Sequence, residues 1–140
     1  MTDKEILDVI LQKLGIGELA EYQVKYDEHG NLIKLDLSYE KIEEFPSEIG
    51  LLTNLQELDL SENEICYIPP EVGNLTSLQK LDLFENEIDH LPLEIGELTN
   101  MRLLWLDRNQ IGNYIPPEIG ELTNLEVLGL SHNYITDLPA

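Results

Sequence analysis

The side chains of this 140-residue chain that could carry chemistry are few. It has three histidines, His29, His90 and His132, and one cysteine, Cys66. A single thiol excludes an internal disulfide and a cysteine-cluster zinc site. No histidine stands at metal-ligand spacing from Cys66 or from another histidine. Ser131-His132 with Asp107 supplies the residue types of a hydrolytic trio, but no nucleophile elbow or oxyanion-hole motif accompanies them. The glycines fall singly, so no phosphate-cradling loop is present. The expectation is a non-enzyme with no cofactor and no resident metal.

Recognition chemistry is better represented. Four sets of residues recur at a fixed interval and do not belong to the apolar pattern. The central set is Asp36, Asp59, Asp82, Trp105 and Gly129. One neighbouring set is Lys34, Glu57, Lys80, Leu103 and Val127; another is Ser38, Ser61, Phe84, Asp107 and Ser131. Beyond them run Tyr39, Glu62, Glu85, Arg108 and His132. The first three copies present an acidic ladder. The last two present Leu103, Trp105, Val127, Arg102, Arg108 and His132, with Phe84 at the boundary. Trp and Arg are enriched at binding hot spots, so Trp105 is the leading candidate. Like charges opposite one another on adjacent strands destabilise. Asp36, Asp59 and Asp82 therefore have no evident structural purpose: either they select basic groups or meet a cation such as calcium, or Lys34 and Lys80 on the same face screen them in a merely soluble surface.

The elements that must position these residues are repeats. Leu55-Gln-Glu-Leu58-Asp-Leu60-Ser-Glu-Asn63-Glu-Ile65 returns from Leu78 to Ile88 and again from Met101 to Ile111, a period of 23 residues. Such a period marks a stacked array. Five copies begin at Leu32, Leu55, Leu78, Met101 and Leu125; the fourth has one extra residue between Ile111 and Ile115, and the fifth stops at Leu138-Pro139-Ala140. Alternation in Leu58-Asp-Leu60 predicts a short strand, its leucines inward. Stacked copies then give a parallel sheet with strands roughly 4.8 Å apart. Asn63, Asn86, Asn109 and Asn133 fall at one position, where a buried amide can bond its own coil and the neighbouring one, with Glu40 in the first copy. Pro46, Pro69, Pro92, Pro116 and Pro139 fix a corner. Gly50, Gly73, Gly96 and Gly120 are expected to permit a return bend after a short outer helical turn.

Residues 1–31 read as an N-terminal cap. Thr2-Asp-Lys-Glu5 has capping-box form, Ile6, Leu7, Ile10, Leu11 and Leu14 make one apolar helical face, and Gly15 is a stop. Tyr22-Gln-Val-Lys-Tyr26 alternates like a strand, and Asp27-Glu-His-Gly30-Asn31 is a turn cluster, so a hairpin is expected to shield the edge of the first repeat. Residues 32–140 form the array. At its far end Leu128, Leu130, Ile135 and Leu138 are poorly covered, which allows a homodimer through that end. The formal charge of −20 repels phosphates, so nucleic acid and membrane are excluded as expected partners. The single cysteine and the lack of a leader or long apolar run predict a cytoplasmic protein.

The pattern LxxLxLxxNxI…(I/L)PxEIGxLTN resembles the leucine-rich repeat family, close to its 23-residue intracellular class. The fourth copy, with Gly112 and Ile115-Pro116-Pro117, is similar to the 24-residue plant-type variant. The resemblance covers residues 32–139 and implies an α/β fold, a right-handed curved solenoid with the parallel sheet on its concave side. It also implies a function: most members bind proteins through that sheet and most are not enzymes. The expectation is a non-catalytic, acidic binding or scaffold module for a partner with basic and apolar groups. A self-assembling structural protein using the C-terminal end is the alternative.

Overall fold

The structure, a computed structural model, describes residues 1–112 and 114–139. Asn113, in the extra-residue segment of the fourth repeat, and Ala140 lie outside the described residues. Helix α1 spans Asp3–Leu14. Thr2 Oγ1 accepts from the Glu5 N–H at 3.2 Å and Glu5 Oε1 accepts from the Thr2 N–H at 3.5 Å, the expected capping box. Gly15, at φ 69°, ends the helix in the left-handed conformation. Ile6, Leu7 and Ile10 are buried in the common core. Asp3 Oδ2 accepts from the Leu32 N–H at 2.7 Å, which ties the start of the helix to the first repeat.

The sheet contains β1 (Val24–Tyr26), β2 (Leu32–Asp36), β3 (Glu57–Asp59), β4 (Lys80–Asp82), β5 (Leu103–Trp105) and β6 (Val127–Gly129), in sequence order. β1 runs antiparallel to β2 and all later pairs are parallel. The predicted strand at residues 22–26 is shorter than expected. Glu21–Gln23 form a 3-10 turn instead, because Gln23 Oε1 accepts from the Ala20 N–H at 2.8 Å and its Nε2 donates to Asp36 O at 3.1 Å. The Asp27 carboxylate holds the hairpin turn by accepting from the His29 and Asn31 N–H groups and from Asn31 Nδ2. The Asn31 side chain leads the causes that hold its pKa below the usual carboxylate value.

Register is one repeat per strand: Leu35, Leu58, Leu81, Leu104 and Leu128 align, as do Asp36, Asp59, Asp82, Trp105 and Gly129. The inward residues are fully buried through the middle coils; Leu58 and Leu81 have 1% and 0% exposure. In the fifth coil the same column opens to 36% at Leu128. Asn63 Oδ1 accepts from the Glu40 and Ile42 N–H groups at 3.0 and 2.9 Å, and Nδ2 donates to Leu37 O and Leu60 O, both at 3.0 Å. Asn86, Asn109 and Asn133 repeat this bridge between coils. Each ladder amide thereby satisfies buried backbone groups that would cost about 1–3 kcal/mol apiece if left unpaired.

The outer side consists of 3-10 helices at Ser47–Leu51, Pro70–Asn74, Leu93–Glu97 and Pro117–Glu121. The glycines within them do not serve a bend, contrary to expectation, and none has positive φ. They admit the next coil. A Cβ at Gly50 would lie 2.7 Å from Glu71 O, one at Gly73 would lie 3.0 Å from Glu94 Cβ, and one at Gly96 would lie 2.8 Å from Glu118 O. Gly120 has nothing within 4 Å. No helix among the described residues is long and apolar enough to cross a membrane.

Candidate partner-binding face

Each strand from β2 to β4 ends at its aspartate, which leaves that outward side chain beside the turn that follows and decides what the aspartates do. Asp36 Oδ1 accepts from the N–H and hydroxyl of Ser38 at 2.9 and 2.7 Å; Asp59 does the same for Ser61 at 2.9 and 2.6 Å. Asp82 Oδ1 accepts from the Phe84 N–H at 3.0 Å. The expectation that the ladder lacks a structural purpose is therefore corrected: each carboxylate closes an Asx turn in its own coil. Among the described residues none of the three makes an ion pair, and with Lys34, Glu57 and Lys80 they line a hollow of about 120 Å³. Burial is the main cause that raises the Asp82 pKa; Asp59 and Asp107 add to it, and the Phe84 N–H and Lys80 oppose it. No group of three metal-ligating side chains gathers among the described residues.

After each turn comes a non-glycine residue in the left-handed region: Tyr39, Glu62, Glu85, Arg108 and His132, at φ between 51° and 57°. This backbone costs roughly 1–2 kcal/mol per residue, and it sets the five side chains in a row along one rim. Tyr39 Oη donates to Glu62 Oε1. Arg108 Nη1 lies 3.4 Å from Glu85 Oε1, and its Cζ stands 5.9 Å from the Phe84 ring centroid. His132 is exposed at the end of the row.

Trp105 faces outward and is half-buried, in register with Asp82 and Gly129. Leu103 shares its face two residues earlier, beside Lys80 and Val127, the latter 41% exposed. Lys80 Nζ lies 5.4 Å from the Trp105 ring centroid. Trp105, Leu103, Asp82 and Val127 are thus brought together on adjoining strands, with Phe84 and Arg108 as a pair at the rim. Asp36 lies three strands from Trp105. Arg102 is engaged elsewhere, donating to Glu126 Oε1 and Oε2 at 3.0 and 3.1 Å.

Two features escaped the sequence. One is Lys80 over Trp105. The other is Asp107, whose Oδ1 accepts from the Ser131 N–H and hydroxyl at 3.1 and 2.6 Å. It supplies from the preceding coil the cap that Gly129 cannot. A signal existed: where the central column loses its aspartate at Gly129, an aspartate appears in the serine column one copy earlier. A hollow of about 870 Å³ lies away from this face, between Lys13 and Leu14 of α1 and the corners at Phe45, Pro46, Pro69 and Pro70. Its lining includes the Lys13–Glu48 ion pair and the exposed Cys66.

A family model described as a leucine-rich repeat region matches residues 48–138. Comparison with curated proteins gives no match. Among solved structures, the leucine-rich-repeat ectodomain of the receptor kinase SOBIR1 from Arabidopsis thaliana is similar in fold, with TM-score 0.79 and 24% identity over 94% of this chain and 79% of that one. A leucine-rich-repeat protein of Leptospira interrogans is 36% identical over 91% of this chain, at TM-score 0.74; this chain spans 34% of its length. A chain of the BIR3–SERK2 complex from Arabidopsis thaliana is 29% identical over 82% of this chain and 64% of its own, at TM-score 0.75.

Proposed function

The chain belongs to the leucine-rich repeat family, and from that premise we propose that it is a non-catalytic protein-binding module that captures its partner on the concave sheet. The observation that carries this reading is Trp105, held outward where three other coils place aspartate. Leu103 and Val127 extend an apolar patch beside it, and the ladder Asp36, Asp59 and Asp82, without an ion pair among the described residues, adds negative charge on the same sheet. The partner is then a protein with apolar and basic groups, not a nucleic acid or an anionic bilayer, since a charge of −20 opposes both. That a similar structure is one chain of a protein complex supports the class of partner. The test is Trp105→Ala as bait in affinity capture. We expect partner recovery to fall at least tenfold while stability changes by less than about 0.5 kcal/mol. Undiminished capture by the variant rejects the site.

A second reading, self-association through the fifth coil, has its own observation. Leu128 and Leu138 are 36% and 65% exposed, and among the described residues β6 pairs only with β5. A further coil or another protein would cover the same surface. Sedimentation across a concentration range decides: a dimer that Leu138→Glu abolishes supports it, and a monomer at every concentration removes it. A cytoplasmic location goes with the first reading, for an exposed free thiol suits a reducing compartment. Labelling of Cys66 by a membrane-impermeant maleimide in intact cells would contradict that location.

A further inference from the structure

Lys34 and Lys80 hold equivalent positions two coils apart, yet their ammonium groups are spent differently. Lys34 reaches Glu57 Oε2 at 4.0 Å. Lys80 has no carboxylate within ion-pair distance among the described residues and stands over the Trp105 ring instead. Arg108 lies over Phe84 while keeping its pair with Glu85. Both rings of the proposed binding face therefore already carry a cation supplied by the chain itself, in a protein with 28 acidic and 8 basic residues.

We infer that the face of Trp105 is a cation subsite which Lys80 fills in the free protein, and that an arginine of a basic partner segment takes it over. The inference rests on the concave-face reading and deepens it. Charge complementarity selects the occupant: Asp36, Asp59 and Asp82 make no ion pair among the described residues, and Asp82 lies next to the ring in register. A guanidinium is planar, stacks on aromatic faces and is less strongly hydrated than an ammonium, so arginine displaces Lys80 where a partner lysine would only match it. The released ammonium moves back to Glu57, its neighbour in register, and to Asp82 on its own strand. Lys80 thus acts as a resident competitor that weakens capture and favours arginine over lysine.

The experiment is calorimetric titration of a capped hexa-arginine peptide into the wild type, Lys80→Gln, Lys34→Gln and Trp105→Ala. Emission from Trp105, the single tryptophan, is recorded alongside. Lys34→Gln removes the same charge from the same face without touching the ring, so it measures the purely electrostatic gain. The expected result is binding about two- to fivefold tighter for Lys80→Gln than for Lys34→Gln, with free-protein emission altered by Lys80→Gln and not by Lys34→Gln. Equal gains in the two variants overturn the displacement and leave the concave site standing. Absence of saturable binding, or binding that Trp105→Ala leaves unchanged, overturns the concave reading and this inference with it.

Discussion

At Gly129 an added Cβ would collide with the Asp107 carboxylate, so the glycine and the aspartate of the preceding coil form one unit. Gly129→Ala should cost about 1–3 kcal/mol by forcing Asp107 off Ser131. Most of that loss should disappear in an Asp107→Ser background. Strict additivity in the double-mutant cycle, measured by urea denaturation, would show the two residues to be independent. Asp82 offers a second single-residue test. Its folded-state pKa is raised above the ordinary 3.8, so its ionised form is disfavoured in the fold. The penalty is complete above the folded pKa and fades as pH falls to the unfolded value. Asp82→Asn keeps an oxygen to accept from the Phe84 N–H. It should stabilise by about 0.5 kcal/mol at neutral pH, with no gain at pH 3. Thermal melts at both pH values check this, and a gain of equal size at pH 3 would remove burial of charge as its cause.

At the scale of the element, neighbouring coils touch outside the sheet through their 3-10 helices, and the glycines set how closely. Gly50→Ala and Gly96→Ala place a methyl against the backbone oxygens of Glu71 and Glu118 and should each cost about 1–3 kcal/mol. Gly120→Ala, at the same repeat position with open space around it, should be neutral or stabilising by up to about 1 kcal/mol. Equal losses at all three would mean that the glycines act through backbone freedom, as the sequence alone suggests. The turn is the other element with a readable cost. Glu62 sits at φ 53°, a region asparagine tolerates better, so Glu62→Asn should raise the melting temperature even though it gives up the Tyr39 hydrogen bond.

Across the whole molecule each coil is held by its neighbours only, through the sheet, the asparagine ladder and the 3-10 helices. Stability should therefore grade along the axis. Amides of the middle coils, whose inward leucines are fully buried, should exchange slowest, and those of the fifth coil first, since Leu128 and Leu138 are exposed there. Hydrogen exchange read by mass spectrometry tests this, and uniform protection from β2 to β6 would reject it. Asn86→Leu in the middle of the ladder should cost about 1–3 kcal/mol in urea denaturation, because it strands the Ile65 N–H, while the carbonyl groups of Leu60 and Leu83 keep Asn63 and Asn109 as donors.

The sequence by itself determined the solenoid. A 23-residue period of leucines, one asparagine and one proline stacks the copies on one shared interior, and the inward columns of the first four copies lie buried where the periodicity places them. It also located Trp105 as the residue that breaks the aspartate column. Tertiary structure alone decided what the outward residues do. Whether Asp59 caps its own turn, whether Lys80 prefers a ring to a carboxylate, and whether Gly50 bends the chain or admits Glu71 depend on distances between coils. Periodicity fixes which residues share a column, but the few ångströms between columns come from packing one coil on the next.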